Sequence, residues 1–421
     1  MQGQESGSMT TYDVICTGAG PAGATAARAL ALKGLRVLLL DRDTFPRDKT
    51  CGGGLRPDIM DRFPHLRARA KDFVEAECRR VIAFSRDPKL HFEYSHPSPV
   101  KFDVRRQIFD NVLVEMAKDA GAELLEGHRV TGVVVSDDGA TVTCKTGGGI
   151  CSFQAQVVLA TGGPFDPAAR TLRAREGLSS NWRPSELAVA VAHEYDVGEA
   201  FVDDAYGKDR ATVLALGFGG VYGYAWAFAK RGHINVGLGG YVRELKKTNV
   251  NELNGRFIAF LKTEGLFPKD MKAVQPKGAP IPLRGPLKKT VTDRLILVGD
   301  SAGFVSPVAG DGIYYAMDAA EMAADVVAKA IENGDVSKKG LASYHGIWRK
   351  AWGKDLDVMV GLADRIDANM EDLFRYCMND ARFRDLVISL YMGTSHATKL
   401  DGKIKMRFAK NKLMDKMGRG R

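Results

Sequence analysis

The chain has 421 residues with a formal net charge of +9, and 45% of its residues are hydrophobic while 26% are charged. This composition indicates a folded globular protein, and no apolar run approaches the roughly 18 residues that a bilayer span requires. The first residues, MQGQESGSMTT, lack the basic start and apolar centre of a signal peptide, so we expect a cytoplasmic protein. The basic residues of the chain lack interleaved base-stacking aromatics, so we expect no binding to nucleic acid.

A dinucleotide-binding motif lies near the start of the chain. The run at 12–17, YDVICT, predicts a buried strand, and the turn GAGPAG leads from it into an alanine-rich helix. Gly18 permits the tight turn, Gly20 lets the backbone approach a pyrophosphate, and Gly23 lets the helix pack closely on the strand. A second apolar run, RVLLLD, ends in Asp41, whose carboxylate can accept hydrogen bonds from a ribose diol. This order of elements predicts a Rossmann-like site.

The motif that follows, DKTCGGGL, places Cys51 before three consecutive glycines. Consecutive glycines fit neither a helix nor a strand, and they favour a backbone that lies directly against a flat ring. Cys51 has two interpretations: a small hydrophobic residue that fills a turn, or a thiol that relays protons or gates the substrate. The six cysteines are otherwise scattered, without a CxxC pair or a nearby histidine, which predicts reduced thiols and no metal site.

Two later segments add to the dinucleotide site. The segment VRRQIFDNVLVEMAKDAGAELL predicts an amphipathic helix from about Arg106, whose guanidinium either clamps the cofactor or is an ordinary solvated residue. In RLILVGDSAGFVSPVAGDGI, a predicted strand at 295–298 runs into Asp300, and Gly312 opens a long helix. An acid at a strand end and a glycine-rich helix start suit the ribityl chain and ring of FAD. No second GxGxxG follows a strand, so a separate NADPH domain is not predicted.

An aromatic strand is predicted in VYGYAWAF, where four rings alternate with small residues on one face: Tyr222, Tyr224, Trp226 and Phe228. A two-residue loop at 231–232 sets the opposing pairs with the returning strand INVGLGG: Phe228 with Asn235, Trp226 with Gly237, and Tyr224 with Gly239. The rings then face bare backbone, which predicts a slot for a long, slender apolar chain. The alternative is that this face packs on a helix as core. The runs CRRVIAFS and KLHFEYSH are expected to extend the sheet, whereas 186–195 predicts a helix.

The C-terminal part is predicted to be helical after Gly334, and it ends in the basic segment KLDGKIKMRFAKNKLMDKMGRGR. Four apolar residues recur there near helical spacing: Leu400, Ile404, Phe408 and Met414. A basic amphipathic helix of this kind can rest on an anionic membrane, which predicts a peripheral location at the inner face of the cell membrane. The alternative is a solvated terminal helix or a frayed tail.

With these motifs, the sequence resembles the geranylgeranyl reductase family of flavoproteins, on the para-hydroxybenzoate hydroxylase-like fold. The matching pieces are GAGPAG, FPRDKTCGGGL, VRRQIFDNVL, YAWAFAKRGHINVGLG and VGDSAGFVSPVAGDGI. Together with the glycine turn, the resemblance implies an FAD site formed by Gly18, Gly20, Ala22, Gly23, Asp41, Cys51, Gly52, Gly54, Arg106, the backbone of Val130, Asp300, Gly312 and Ile313. The chain departs from the family pattern at Ala229, where proline is usual, and at Asp311 and Asp41, where glutamate is usual.

The predicted fold class is α/β: a Rossmann-like FAD-binding domain, an antiparallel-sheet substrate domain and a helical C-terminal part. The FAD-binding domain is expected to be discontinuous, formed by residues 9–66, 104–168 and 284–335. The substrate-binding sheet is expected at 67–103 and 169–283, with its contacts from the aromatic face, Gly237 and Gly239. Residues 336–421 are expected to form the C-terminal helical region with the basic tail.

The predicted function is FAD-dependent saturation of isolated double bonds in geranylgeranyl chains, most naturally those of membrane diether lipids. Alternatives are reduction of a menaquinone or other prenyl side chain, a monooxygenase or halogenase on the same fold, and a non-catalytic prenyl-lipid carrier. An external donor, ferredoxin, NADPH or another reductant, is expected to reduce the flavin. The proton donor stays open among Cys51, Tyr224 and a water molecule held by the glycine loop.

Overall fold

The computed structural model describes residues 11–246 and 248–418, and in these residues the strands form three sheets, with helices packed around them. In chain order the strands are β1 (Thr11–Cys16), β2 (Val37–Leu40), β3 (Gly54–Leu55), β4 (Ala76–Cys78), β5 (Arg80–Phe84), β6 (His91–Ser95), β7 (Lys101–Asp103), β8 (Glu123–Leu125), β9 (Arg129–Val135), β10 (Ala140–Thr146), β11 (Gly149–Ala160), β12 (Leu187–Asp196), β13 (Ala211–Leu216), β14 (Gly223–Ala229), β15 (His233–Tyr241), β16 (Lys277–Pro282), β17 (Val291–Thr292) and β18 (Leu295–Leu297). The helices are α1 (Pro21–Ala31), α2 (Ile59–Arg62), α3 (Ala70–Phe73), α4 (Arg106–Asp119), α5 (Pro167–Arg175), α6 (Glu199–Tyr206), α7 (Val242–Leu245), α8 (Val250–Thr263), α9 (Ile313–Glu332), α10 (Lys338–Leu341), α11 (Ser343–Trp348), α12 (Lys354–Ala368), α13 (Met370–Asn379), α14 (Ala381–Met392) and α15 (Ala397–Gly418).

The first sheet has the path β17-β18-β11-β1-β2-β8, and β1, β2, β8, the end of β11 and β18 run parallel. All four residues of β2 are buried, as expected for a parallel strand covered on both faces. Helix α1 packs between α4 and α9 beside this sheet. The predicted order of strand, glycine turn, helix and strand is therefore confirmed.

The second sheet has the order β16-β12-β15-β14-β13-β5-β6 and is antiparallel except between β13 and β5. The predicted pairs of β14 with β15 are confirmed, including Trp226 opposite Gly237. The two runs predicted to extend this sheet, which became β5 and β6, also lie in it. A small third sheet, β3-β7-β4, joins the Cys51 loop to the strands that lead into β5.

The helix predicted at 186–195 is wrong, because this segment forms strand β12. Its alanines and glutamate favour a helix as an isolated sequence. In the fold, however, the segment pairs with β15 over 188–196 and with β16 over 187–192, and these interactions outside the segment override the local preference.

The C-terminal part is helical, as predicted, and α15 packs on α12, α13 and α14. In the part of the chain that the structure describes, we find no helix with the length and hydropathy of a membrane span. The residue boundaries of the three units remain a prediction, and their residues 9–10 and 419–421 lie outside the described residues.

Candidate active site

A cavity of about 770 Å³ lies where the turns of the first sheet meet the Cys51 loop, the aromatic strand and the end of α14. It brings together most of the predicted site residues: Gly18, Gly20, Ala22, Asp41, Cys51, Gly52, Gly54, Arg106, Val130, Tyr222, Tyr224, Trp226, Phe228, Gly239, Asp300, Gly312 and Ile313. Gly23 and Gly237 do not line it. These two residues have other roles, which their surroundings explain.

The glycine turn between β1 and α1 needs glycine mainly for close packing. A Cβ at Gly23 would lie 1.8 Å from the carbonyl oxygen of Gly18, so this residue holds the helix against the turn. A Cβ at Gly18 would lie 2.7 Å from the Cα of Gly162. By contrast, a Cβ at Gly20 would have no neighbour closer than the Arg47 Nη2 atom at 3.7 Å, so this residue faces open space. The open position is the one where a cofactor can approach the backbone.

Asp41 is buried at the end of β2 and directs its carboxylate towards the turn. One carboxylate oxygen accepts a hydrogen bond from the Ala19 N–H at 2.9 Å, and the other accepts one from the Asp43 N–H at 3.0 Å. Asp41 therefore fixes the glycine turn and also lines the cavity. Its carboxylate remains a proposed ribose acceptor.

Arg106 begins α4, and only 9% of its side chain is exposed, which contradicts the solvated alternative. Its Nε and Nη2 atoms donate to the two carboxylate oxygens of Asp110, at 2.7 and 2.8 Å. Burial lowers the pKa of Arg106, but the Asp110 carboxylate outweighs that effect and the pKa is raised. The bidentate pair fixes the protonated guanidinium of Arg106 at the cavity wall.

A positive region surrounds Asp300 at the same end of the cavity. Burial raises the pKa of Asp300, against the opposing charges of Lys49 and Arg106. Desolvation and the Arg106 charge lower the pKa of Lys49, which opens to the cavity. The sequence prediction did not include Lys49, although it lies only two residues before Cys51.

The Cys51 loop is held against the aromatic strand rather than extending freely. A Cβ at Gly52 would lie 2.7 Å from the Phe228 ring, and one at Gly53 would lie 2.0 Å from the Val104 carbonyl oxygen. Gly53 also has a φ of +78°, a conformation that side chains rarely adopt. Gly52 and Gly53 are therefore required by the packing of this loop on the protein, in addition to any ring that they face.

Asn235 joins this loop to the aromatic strand. Its amide nitrogen donates to the Cys51 carbonyl oxygen at 3.1 Å, and its amide oxygen accepts from the Trp226 indole N–H at 2.8 Å. The same nitrogen donates to Glu194, which also accepts from the fully buried Lys230 at 2.6 Å. Sequence reasoning placed Asn235 opposite Phe228 but gave it no role.

The predicted slot is partly wrong. Trp226 folds over Gly237, where a Cβ would lie 2.4 Å from the indole ring, so the space expected above this glycine is filled by the ring itself. At Gly239 there is room for a side chain, since a Cβ would make ordinary contacts with Ala190 at 3.4 Å and with the Val189 carbonyl oxygen at 3.5 Å. The apolar room therefore lies beside the rings, above the small residues of β12 and β15.

The C-terminal helices complete the site, as one interpretation of the sequence expected, but the sequence did not indicate which of their residues line it. Tyr391 and Met392, at the end of α14, line the cavity together with Gly393. Arg56 holds this end in place, because its Nη2 atom donates to the Gly393 carbonyl oxygen at 2.5 Å and its guanidinium lies 3.8 Å from the Tyr314 ring centre. A second, apolar cavity of about 110 Å³ adjoins the first between the second sheet and helices α12 to α14.

The residues of the large cavity fit a flavin dinucleotide. Helix α1 starts without a side-chain cap, so its first N–H groups are available to an anion such as a pyrophosphate. The cationic side chains of Arg106 and Lys49 line the same cavity beside Cys51 and Asp300. The Cys51 loop and the start of α9 form walls of backbone and small residues that a flat ring can approach. We therefore propose that the predicted contacts, apart from Gly23, bind FAD directly.

Comparisons with known proteins agree with this fit. A family model of FAD-dependent oxidoreductases matches residues 13–163. The chain is 30% identical over 381 residues to digeranylgeranylglycerophospholipid reductase 2 of Methanothermobacter thermautotrophicus, covering 86% of this chain and 91% of that protein. It is 30% identical over 400 residues to the digeranylgeranylglycerophospholipid reductase of Methanosarcina acetivorans, covering 90% and 93%.

Solved structures show the same fold. A geranylgeranyl bacteriochlorophyll reductase-like protein from Thermoplasma acidophilum superposes with a TM-score of 0.77 at 22% identity, covering 95% of this chain and all of that one. A flavin-dependent brominase superposes with a TM-score of 0.71 at 19% identity, with the same coverage. The fold is thus shared by flavoproteins with different named activities, so it does not choose between them.

Proposed function

The chain belongs to the digeranylgeranylglycerophospholipid reductase family of FAD-dependent oxidoreductases, and from this membership we propose that it saturates isolated double bonds of geranylgeranyl chains. Membrane diether lipids that carry such chains are the proposed substrates. The observation that supports this proposal is the junction of the two cavities. A polar, positively charged end suited to a dinucleotide continues into an apolar space between the second sheet and the C-terminal helices.

When bound, reduced FAD supplies a hydride, and the protein must align an unactivated double bond and keep water away from it. Trp226 and Phe228 are buried and form one apolar wall, and the small residues of β12 and β15 leave room for a chain beside them. An isolated alkene has no carbonyl group to polarise, so alignment by such walls is the main contribution that the chain can make. We propose an external reductant, ferredoxin, NADPH or another donor, for the flavin.

Anaerobic turnover tests this proposal. Protein reduced with dithionite is mixed with a geranylgeranylated diether lipid, and mass spectrometry follows the lipid. Reduction adds the mass of two hydrogen atoms for each saturated bond, and no oxygen is needed. A lipid that stays unchanged without oxygen but gains oxygen or halogen in air would refute the proposal and favour the activity suggested by the brominase fold. A menaquinone in the same assay tests the second candidate substrate.

We also propose peripheral contact with an anionic membrane through the outer face of α15. Leu400 and Ile404, predicted to face the lipid, are instead buried, and Phe408 packs against the helical core. The exposed apolar residues on this helix are Met406, Leu413, Met414 and Met417. They lie among exposed lysines: Lys399, Lys403, Lys405, Lys410, Lys412 and Lys416. Apolar and basic residues together favour an anionic lipid surface.

Vesicle sedimentation tests the membrane contact. The protein is expected to sediment with vesicles that contain anionic phospholipid and to stay in solution with neutral vesicles. The double variant Leu413→Ser/Met417→Ser is expected to lose most of this binding, while Val134→Ser, at a similarly exposed apolar residue on β9, keeps it. Equal binding to both kinds of vesicle, or equal binding by the variants, would exclude this face of α15 as the contact.

A further inference from the structure

A tyrosine from the C-terminal helices stands where the two cavities meet. Tyr391, in the last turn of α14, lines both the large cavity and the small apolar one, and so does Tyr224 from β14. A prenyl chain that extends from one cavity into the other therefore passes both phenol groups. The backbone around Tyr391 is fixed, because Leu390 is buried and Arg56 binds the carbonyl oxygen of Gly393.

The two hydroxyl groups differ in their hydrogen bonds. The Tyr224 hydroxyl donates to the Ala309 carbonyl oxygen at 2.7 Å, so its proton is already engaged. The Tyr391 hydroxyl has no hydrogen-bond partner among residues 11–246 and 248–418, and Tyr391 is only half-buried because it borders the cavities. Its proton is therefore free for a bound molecule.

The surroundings keep this phenol neutral. Burial, followed by the neighbouring Tyr224 and the carboxylate of Asp103, raises the pKa of Tyr391 well above its ordinary value. The group thus keeps its proton at neutral pH. Because a raised pKa makes it a weaker acid than an ordinary tyrosine, the proposed proton transfer depends on the position of its hydroxyl where the two cavities meet.

Within the proposed reductase function, on which this inference rests, we propose that Tyr391 is the catalytic acid of alkene reduction. The hydride that bound, reduced FAD would supply would form the C–H bond at one alkene carbon. The O–H bond of Tyr391 breaks, and its proton forms the C–H bond at the other carbon. The phenolate that remains regains a proton from water when the product leaves. The alkene is reduced by one hydride and one proton, and the flavin is oxidised.

The test uses three tyrosine-to-phenylalanine variants of the full-length holoprotein. Tyr391→Phe removes a hydroxyl without a partner, so it is expected to fold like the wild type. Tyr224→Phe removes a hydroxyl that is bonded to the backbone. Tyr94→Phe is a matched control on β6, outside both cavities and likewise without a hydrogen bond in the described chain.

Each protein is reduced with dithionite and mixed anaerobically with a geranylgeranylated diether lipid, and the rate of flavin reoxidation is measured. Tyr391→Phe is expected to slow this step by about 10²-fold or more, whereas Tyr224→Phe slows it by less than about 10-fold and Tyr94→Phe leaves it unchanged. Quenching of tryptophan fluorescence by the lipid, measured on oxidised protein, is expected to show unchanged affinity in Tyr391→Phe. A solvent deuterium effect on the wild-type rate is expected to disappear in this variant.

The outcomes separate this inference from the proposed function. A wild-type rate in Tyr391→Phe, with wild-type reduction of the lipid, would overturn the role of Tyr391 alone. Loss of lipid affinity in this variant, without a change in the isotope effect, would also overturn it and assign Tyr391 to the wall of the site. A wild-type protein that reduces no geranylgeranyl lipid would overturn both proposals.

Discussion

The bridge made by Asn235 between the Cys51 loop and the aromatic strand gives a prediction whose magnitude follows from its contacts. Replacing Asn235 with leucine keeps the size of the side chain and removes its hydrogen bonds. The buried Trp226 indole N–H loses its acceptor, and the Cys51 carbonyl oxygen loses a donor. Glu194 keeps its bond to Lys230. Two polar groups are therefore left without partners.

Each buried polar group without a partner costs about 1–3 kcal/mol. Two such groups cost about 2–6 kcal/mol, and the added apolar surface of leucine returns about 1 kcal/mol. We expect Asn235→Leu to lower the free energy of unfolding by about 3 kcal/mol, which increases the unfolded fraction by about two orders of magnitude.

Urea unfolding followed by tryptophan fluorescence measures this change, and the chain provides a matched control. Asn254 is also buried, but its side-chain oxygen has no hydrogen-bond partner in the described residues. Asn254→Leu is therefore expected to be neutral or to stabilise the protein by about 1 kcal/mol, since it removes an unsatisfied group. Similar effects of the two substitutions would show that the bridge through Asn235 does not stabilise the fold and would refute this reasoning.

Three further predictions concern the cofactor turn, the thiol and a buried acid. Gly23→Ala is expected to destabilise the protein by about 3 kcal/mol or more in thermal unfolding, because its Cβ would lie 1.8 Å from the Gly18 carbonyl oxygen. Gly20→Ala, in contrast, should leave the stability of the apoprotein unchanged and weaken FAD binding in a titration. Cys51→Ser is expected to retain FAD and to slow alkene reduction in the anaerobic assay, and unchanged turnover would leave Cys51 as a residue that fills the turn. Burial raises the pKa of Asp311 to about 6, so the folded state favours the protonated carboxyl. The stability that this carboxyl contributes is present below about pH 4 and is lost as the pH rises through about 6. Asp311→Asn should therefore become more stable relative to the wild type between about pH 4 and 7, and parallel melting curves across this range would contradict the assignment.

Local patterns were sufficient to predict the parts of the fold that depend on a continuous segment. The glycine turn after β1, the register of β14 with β15 and the helices after Gly334 all follow from spacing and residue type. Strand β12 could not be found in this way, because its alanine-rich sequence has a helical preference that only its two neighbouring strands override.

The site was predictable where one motif carries several contacts, and not where distant segments meet. The Cys51 loop was found from its three glycines, but its attachment to Asn235 depends on residues 184 positions apart. Tyr391 lies in a helix whose sequence, ARFRDLVISLYM, resembles any amphipathic segment. Its place in the cavity comes from the contact of Arg56 with Gly393, which no local pattern encodes.

That contact also has a consequence for how the site can diversify. The cofactor end of the cavity is formed by segments before α10, whereas the wall near Tyr391 comes from α14 and the turn after it. Substitutions at Leu390 and Met392 can therefore reshape the space for the prenyl chain while the glycine turn and Arg106 keep their positions. We expect libraries restricted to these two positions, with Tyr391 kept, to yield variants that retain yellow flavin and differ in the length or number of double bonds that they accept.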